Sequence, residues 1–277
     1  MSMWNREMEA QSRAALEALQ EKRLAKALRR AENGPVDPSR LAEFHFDYSD
    51  PEAPKACPST RADLLATAEC VARALAAAGF KEGDPFLVAE PTGLSTDGFA
   101  FYQGCRKFGL CCIPAGGEDA ALQLRLVAER RVKGVFASVD TFRRLASVKG
   151  ARSHKSLRVG FVPAGGLKAS VRREIEKSLG IELFAAWGLS ATGGAATIAC
   201  ECSKHAGLHV WEDMFIVDVV DRKGASVPDG RTGEIVLTTL VREASPLIRV
   251  RTGVHGRILS RDKCACGRTS LRLDLAR

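Results

Sequence analysis

The chain has 277 residues, of which 45% are hydrophobic and 27% are charged, and its formal net charge is +8. This composition is typical of a soluble globular protein, and there is no run of about 18 apolar residues that could form a transmembrane helix. The first twenty residues are too polar and too acidic for a signal peptide, so we expect a cytoplasmic protein without membrane contacts. The positive charge favours nucleic-acid binding, but its densest runs fall on helical patterns without a recognition motif, and we expect no such binding.

The first third of the chain contains three clear local patterns. Residues 12–31 repeat apolar side chains at helical spacing, which predicts an amphipathic helix. Residues 44–58 contain three prolines that exclude a regular helix, and we expect an irregular segment there. Thr60 and Asp63 then form the pattern of a capping box, which predicts a helix that ends at Gly79.

After this helix, short apolar runs alternate with helical patterns until about Gly194. Such alternation predicts a mainly parallel sheet covered by helices. The remaining residues form β patterns broken by turn sequences such as DRKG and PDGRTG, which predict an antiparallel, barrel-like subdomain. The predicted fold class is therefore α/β, with an N-terminal helix and linker (1–43), an α/β subdomain (44–194) and an antiparallel β subdomain (195–277).

The nine cysteines do not suggest a disulfide framework, because the cytoplasm keeps thiols reduced. Four of them form two C-x-C pairs, Cys200 with Cys202 and Cys264 with Cys266. Cys202 also precedes His209 by only seven residues. Two thiolates from one knuckle and a cysteine–histidine pair from a distant loop match a closed, tetrahedral, structural zinc site.

This spacing leaves two alternatives open. The cysteines can be buried free thiols, with His209 a hydrogen-bonded core histidine. Cys200 can also replace Cys202 as a ligand, because alternation along a strand puts both side chains on the same face. With either Cys202 or Cys200 as the ligand, a structural zinc ion would pin the two ends of the antiparallel subdomain together.

The segment from residue 181 to residue 270 resembles the phenylacetate–coenzyme A ligase branch of the adenylate-forming superfamily. The resemblance rests on runs that follow that branch's order and spacing: WGLSATGGAATIACEC, GLHVWED, PDGRTGEIVLTTLVREASPLIRVRTG and CACGRT. It extends more weakly to FAFYQGCRKFGLCCIPAGGEDAALQLRLVAE and to the N-terminal helix. The resemblance implies the N-terminal domain of an adenylate-forming enzyme, a homodimer, and a structural zinc ion bound by Cys202, His209, Cys264 and Cys266.

The sequence departs from the family where the phosphates of ATP would be held. The family's glycine-rich phosphate loop falls on SDPEAP, residues 49–54, in which Asp50 and Glu52 would repel a triphosphate. Two other residues of this loop are prolines, which have no N–H group to donate. Lys55 is the cation that follows, and we expect this loop not to bind phosphate.

Three further positions of the family's nucleotide site have also changed. Ala191 replaces the glutamate that helps to hold Mg²⁺, and Gly165 stands where the family has an acid beside the adenine. Val254 replaces an aspartate that binds the ribose hydroxyls, and a valine side chain cannot accept those hydrogen bonds. We assign a vestigial adenine site to Trp187, Gly188 and Ser190.

The resemblance also implies a C-terminal lid domain with a catalytic lysine, which we expect this chain to lack. We therefore predict no catalytic residues, no use of ATP or Mg²⁺, and a non-catalytic binding or partner protein. Its expected partner is a second copy, with an active ligase or a small acid as further candidates. The alternative is an AMP-forming acyl- or aryl-CoA ligase that another chain completes or that has altered chemistry.

Overall fold

The structure is a computed structural model that describes residues 3–47, 52–93, 95–165 and 167–276. The described residues form seven α-helices: α1 (Arg6–Glu9), α2 (Arg13–Glu32), α3 (Arg61–Ala77), α4 (Thr96–Phe108), α5 (Ala120–Glu129), α6 (Val139–Ser147) and α7 (Ala169–Leu179). Short 3₁₀ helices cover Pro38–Arg40, Ala151–Ser153 and Ser190–Thr192. Within these ranges, no helix combines the length and apolarity that crossing a bilayer requires.

The same residues form thirteen strands: β1 (Leu41–Asp47), β2 (Lys55–Thr60), β3 (Pro85–Val88), β4 (Cys111–Pro114), β5 (Gly134–Phe136), β6 (Val159–Pro163), β7 (Glu182–Trp187), β8 (Ala199–Glu201), β9 (Leu208–Val210), β10 (Phe215–Val220), β11 (Gly233–Thr239), β12 (Val250–Ser260) and β13 (Arg272–Leu275). The first two strands pair with each other. The other eleven form one sheet in the order β10–β11–β12–β13–β9–β8–β7–β6–β5–β3–β4.

The large sheet has a parallel half and an antiparallel half. Strands β4, β3, β5, β6 and β7 pair in parallel, and β8 joins β7 in the antiparallel sense. Strands β8 to β13 continue the sheet with antiparallel pairs only. The α/β fold class is therefore confirmed, with both halves in one continuous sheet. The domain boundaries predicted from the sequence stay a prediction.

Helices cover the parallel half on both faces. The chain moves outward from β3 to β4 and then returns through β5, β6 and β7, so right-handed crossovers place α4 on one face and α5, α6 and α7 on the other. α3 packs closely on α4, since a Cβ added at Gly104 would lie 2.3 Å from Cγ1 of Val71. The core between the layers is aromatic, and the rings of Phe101 and Phe136 stack with their centroids 3.9 Å apart.

Two helices predicted from the sequence are confirmed. α2 begins one residue later than predicted and ends at Glu32. In α3 the capping box is complete, because the backbone N–H of Thr60 donates to Asp63 at 2.9 Å and that of Asp63 donates to the Thr60 hydroxyl at 3.2 Å. Gly79 follows the helix with a φ of +85°, a conformation that favours glycine.

The prediction of an irregular segment before α3 is wrong, because β1 and β2 form an antiparallel ribbon there. Pro58 lies within β2. A two-stranded ribbon leaves one side of each strand unpaired, so a missing N–H group is tolerated there. The ribbon is anchored by His45, which is buried and lies on Phe99 with ring centroids 4.4 Å apart. This burial orders a segment that has no strong local pattern.

Candidate functional site

The four residues that the sequence assigns to a metal site come together in the structure. Cys202, His209, Cys264 and Cys266 are all buried, and their ligand atoms lie within 4.8 Å of one another. Cys202 follows β8, and His209 lies on β9. Both cysteines of the CAC knuckle lie between β12 and β13. The cluster therefore joins two connections that are more than fifty residues apart in sequence.

The distances in this cluster fit a tetrahedral zinc ion. With Zn–S bonds of about 2.3 Å and Zn–N bonds of about 2.0–2.1 Å, ideal angles place two sulfurs about 3.7 Å apart and a sulfur and a nitrogen about 3.5 Å apart. The sulfurs of Cys202 and Cys264 are 4.0 Å apart. The sulfur of Cys266 lies 3.5 Å from Nε2 of His209. The four ligand atoms would have to move only slightly to bind a zinc ion.

Neighbouring groups hold these ligands in place. Nδ1 of His209 lies 3.1 Å from the Ser270 hydroxyl, which leaves Nε2 directed at the thiols. The backbone N–H of Cys266 donates to the sulfur of Cys264 at 3.5 Å. Gly267 has a φ of +94°, a left-handed conformation that favours glycine and lets the chain turn tightly after the two cysteines.

The thiols of Cys202 and Cys266 share a hydrogen bond that shifts the pKa of each. A hydrogen bond with Cys202 lowers the pKa of Cys266 against the opposing effect of burial, and His209 lowers it further. The same bond, together with burial, raises the pKa of Cys202. The pair thus favours one thiolate, which is the form of cysteine that binds metals.

Cys200 is not part of this group. It lies on β8, directly opposite His209 in the ladder, and it is buried. Burial raises the pKa of its thiol strongly. The chain leaves β8 before Cys202, and this turn brings Cys202 to the other three ligand atoms. The geometry therefore favours Cys202 over Cys200.

The N-terminal segment is bound to the same region through two ion pairs, one buried and one half-buried. Arg268 follows the knuckle, and its Nη1 donates to the sulfur of Cys266 at 3.7 Å. The same guanidinium pairs with Glu9 of α1. At the start of α2, Arg13 pairs with Glu212 at 2.8 Å. These contacts connect α1 and α2 to the end of the chain.

The residues assigned to a vestigial adenine site lie on β7 and on the turn that follows it. A Cβ at Gly188 would lie 1.7 Å from the carbonyl oxygen of Gly194, so only glycine fits the first position of this turn. The turn also packs on two helices. A Cβ at Gly193 would lie 2.5 Å from the Thr67 hydroxyl of α3. The backbone N–H of Ala195 donates to Asp97 of α4 at 2.8 Å.

The aromatic residue of the assigned adenine site is buried. Trp187 is 3% exposed, so its indole is covered by neighbouring residues and would have to be uncovered before a base could stack on it. A cavity on the α3 side of the turn, lined by Thr192 and Thr197 but by none of the three assigned residues, has a volume of about 20 Å³. Such a volume holds about one water molecule. The assignment of Trp187, Gly188 and Ser190 to an adenine site stays a prediction.

The structure places the other changed positions on three separate elements. Ala191 is half-buried in the 3₁₀ turn after β7. Val254 lies on β12, which β13, β9 and β8 separate from β7. Gly165 has open space around it, since a Cβ added there would have no atom of the described residues within 4 Å beyond its own chain neighbours.

The segment proposed to replace the phosphate loop is only partly described. Asp50 and residues 49–51 lie outside the described residues. Glu52 belongs to the connection between β1 and β2, and Lys55 begins β2, opposite Asp47. The prediction that this segment does not bind phosphate therefore stays a prediction.

Several residues that organise this region have no signal in the sequence. Arg73 of α3 is 2% exposed and pairs with Asp213, with a shortest distance of 2.7 Å. Arg268 and Glu9 form a second buried pair. The partners are 140 and 259 residues apart, and no spacing rule connects residues so distant.

Comparison with known proteins gives sequence relatives of a single kind. The chain is 31% identical over 244 residues to the phenylacetate–coenzyme A ligase of Thermus thermophilus, an alignment that covers 86% of this chain and 54% of that protein. It is 32% identical over 246 residues to the phenylacetate–coenzyme A ligase of Escherichia coli, covering 86% and 55%. The chain thus spans about half the length of these curated relatives. No protein-family model matches the chain.

Solved structures that share the fold include several coenzyme A ligases. A 2-hydroxyisobutyryl-CoA ligase in complex with 2-HIB-AMP and CoA superimposes with a TM-score of 0.81 at 20% identity, covering 98% of this chain and 69% of that one. A benzoate CoA ligase from Burkholderia xenovorans gives a TM-score of 0.65 at 15% identity, covering 88% and 50%. At these identities the likeness concerns the fold alone.

The fold is therefore that of the N-terminal part of the adenylate-forming coenzyme A ligases. Within that class, the sequence relatives place this chain in the phenylacetate–coenzyme A ligase branch, as the motifs around β7 and the knuckle predict.

Proposed function

We propose that this protein does not adenylate carboxylic acids, and that it acts as a zinc-stabilised binding or partner protein on a ligase scaffold. The observation that carries this proposal is the packing of the turn after β7. The turn lies against α3 and α4, and the indole of Trp187, on which adenine would have to stack, is 3% exposed.

The side chains at the expected nucleotide site support the same proposal. Activation of an acid by ATP requires positive charge and hydrogen-bond donors on the phosphates, and a ligand for Mg²⁺. Ala191 offers no magnesium ligand, and Val254 offers no acceptor for a ribose hydroxyl. Trp187 is buried and would have to move before it could stack on adenine.

The Cys/His cluster supports a structural rather than a catalytic metal. Four protein ligands complete the tetrahedral shell of zinc, so no position is left open for water or substrate. The ligands would be Cys202, His209, Cys264 and Cys266, and zinc would add a cross-link between the β8–β9 connection and the β12–β13 connection. The related ligases suggest a second copy of the chain as the first partner to test, by light scattering on the purified protein.

The decisive experiment is carboxylate-dependent exchange between ATP and pyrophosphate. It uses the full chain with Mg²⁺ and a panel of aromatic and aliphatic acids, with the Escherichia coli relative as the positive control. We expect no exchange above the rate without acid. Exchange at a rate within about tenfold of the control would overturn the proposal.

One observation favours the alternative, an AMP-forming acyl- or aryl-CoA ligase that another chain completes or that has altered chemistry. The chain is 31% identical to a phenylacetate–coenzyme A ligase over 244 residues. Exchange that appears only when cell extract from the source organism is added would support this alternative, because a second component would then supply the missing groups.

A further inference from the structure

A cavity lined by basic residues lies at the amino-terminal ends of the parallel strands, whereas the turn after β7 lies at their carboxyl-terminal ends. Its volume is about 430 Å³, and it is lined by cationic side chains from Arg130, Arg131, Lys133, Lys155 and Arg158, together with Ser156. We call it the amino-edge cavity, because it lies where parallel strands β3, β5 and β6 begin.

The backbone fixes two of these cations side by side. Lys133 immediately precedes β5, and Arg158 immediately precedes β6. The N–H of Arg158 donates to the carbonyl of Lys133 at 3.0 Å, and the N–H of Lys133 donates to the carbonyl of Pro85 at 2.9 Å. Neighbouring strands lie about 4.8 Å apart, so the two side chains begin one strand spacing from each other.

The end of α5 places two more cations at the same rim. The N–H groups of Arg130, Arg131 and Val132 donate to carbonyls of the last turn of α5, and the chain then enters β5. Val132 is fully buried and anchors this turn. Arg131 has a φ of +50°, which a non-glycine residue adopts only at a cost. Arg131 and its neighbour Arg130 both lie at the mouth of the cavity.

The charge in the amino-edge cavity is largely uncompensated. Lys133 forms an ion pair with Asp84. For Arg130, Arg131, Lys155 and Arg158, the described part of the chain has no carboxylate within ion-pairing distance, and no acidic side chain lines the cavity. Cations gathered in a concavity repel one another, and an anion that enters it relieves this repulsion.

We propose that the amino-edge cavity binds a small molecule that carries two or more phosphate charges. Arginine presents paired N–H groups that match phosphate oxygens, and lysine adds point charge. The volume lies in the range of about 300–1,000 Å³ that is typical of small-molecule sites. The cations converge on a concavity rather than follow an extended stripe, which favours a compact ligand over a nucleic-acid strand.

The test uses inorganic tripolyphosphate as the probe, without Mg²⁺ and without nucleotide, and follows its binding to the full chain by calorimetry. One variant combines Lys155→Ala with Arg158→Ala. The control combines Lys22→Ala with Lys26→Ala, two exposed lysines of α2, and it changes the net charge equally. We expect saturable binding in the wild type and the control, and a loss of affinity of about tenfold or more in the cavity variant.

Two results would overturn the proposal. One is absence of saturable binding to the wild type; the other is an equal loss of affinity in both variants, which would indicate screening by total charge. A short single-stranded RNA forms a separate arm. If RNA binds more tightly than tripolyphosphate and the cavity variant abolishes that binding, the site is a nucleic-acid surface and the proposal is wrong. None of these outcomes depends on ATP–pyrophosphate exchange.

Discussion

Oε2 of Glu9 lies 2.7 Å from Nε and 2.6 Å from Nη2 of Arg268, and each side chain is only 1% exposed. The same guanidinium donates to the sulfur of Cys266. The first helix of the chain is thereby tied to the Cys/His cluster near its other end. Because the pair is buried, removal of either charge takes a charge-assisted contact away from the other in the interior.

Substitution Glu9→Gln should therefore destabilise the protein. Removing one partner of a buried ion pair costs about 3–5 kcal/mol. Urea denaturation followed by circular dichroism measures this loss. Glu7→Gln is the matched control, since Glu7 is exposed on the same helix. Equal stability of the two variants would contradict the role assigned to the pair.

The Cys/His cluster should bring about one equivalent of zinc per chain through purification without chelator. Substitution Cys202→Ser should abolish this metal and lower Tm by about 10 °C, because zinc binding contributes directly to folding. Cys111→Ser is the control, because Cys111 is exposed and outside the cluster. Elemental analysis that finds no metal in the wild type would rule out the zinc site.

Substitution Gly188→Ala should disrupt the turn after β7. The added methyl would lie 1.7 Å from the Gly194 carbonyl, so the turn must open at a cost of about 3 kcal/mol. Gly165→Ala has open space and should change stability by less than about 0.5 kcal/mol. Thermal unfolding of both variants compares these effects. Similar melting temperatures for the two would mean that the turn is not closed in solution.

The N-terminal segment should loosen in acid through Glu69. Burial raises the pKa of this carboxyl, but Trp4, Arg73, Asn5 and Lys107 together lower it below its ordinary value of 4.5. Because the folded-state pKa is the lower one, its stabilisation is complete above about pH 4.5 and is lost as pH falls through the folded-state pKa.

Trp4 reports this change, because its Nε1 donates to Glu69 at 3.0 Å and its ring lies on Phe108. Trp187 and Trp211 are buried and serve as an internal reference. We expect the fluorescence of Trp4 to shift toward that of an exposed indole below pH 4.5. Glu69→Gln should remove this pH dependence; an unchanged acid transition in that variant would assign it to another carboxylate.

Much of the architecture follows from local patterns. Apolar spacing predicts α2, and the residues Thr60 and Asp63 predict the start of α3. The change from helical to β patterns after Gly194 predicts where antiparallel pairing begins. The four candidate metal ligands can be found because two C-x-C pairs are conspicuous in the sequence. The ribbon of β1 and β2 cannot be predicted in this way, since burial of His45 rather than strand propensity orders it.

The helices, the alternating strands, the family and the set of candidate zinc ligands can all be predicted from the sequence, because spacing and side-chain type express these properties locally. Three other properties become evident once the strands and turns are packed together: Cys202 rather than Cys200 joins the cluster, Arg268 reaches Glu9, and the cations of the amino-edge cavity converge. Each of these depends on where separate strands and turns meet, and contacts between residues distant in sequence are fixed by packing of the whole chain rather than by any local pattern.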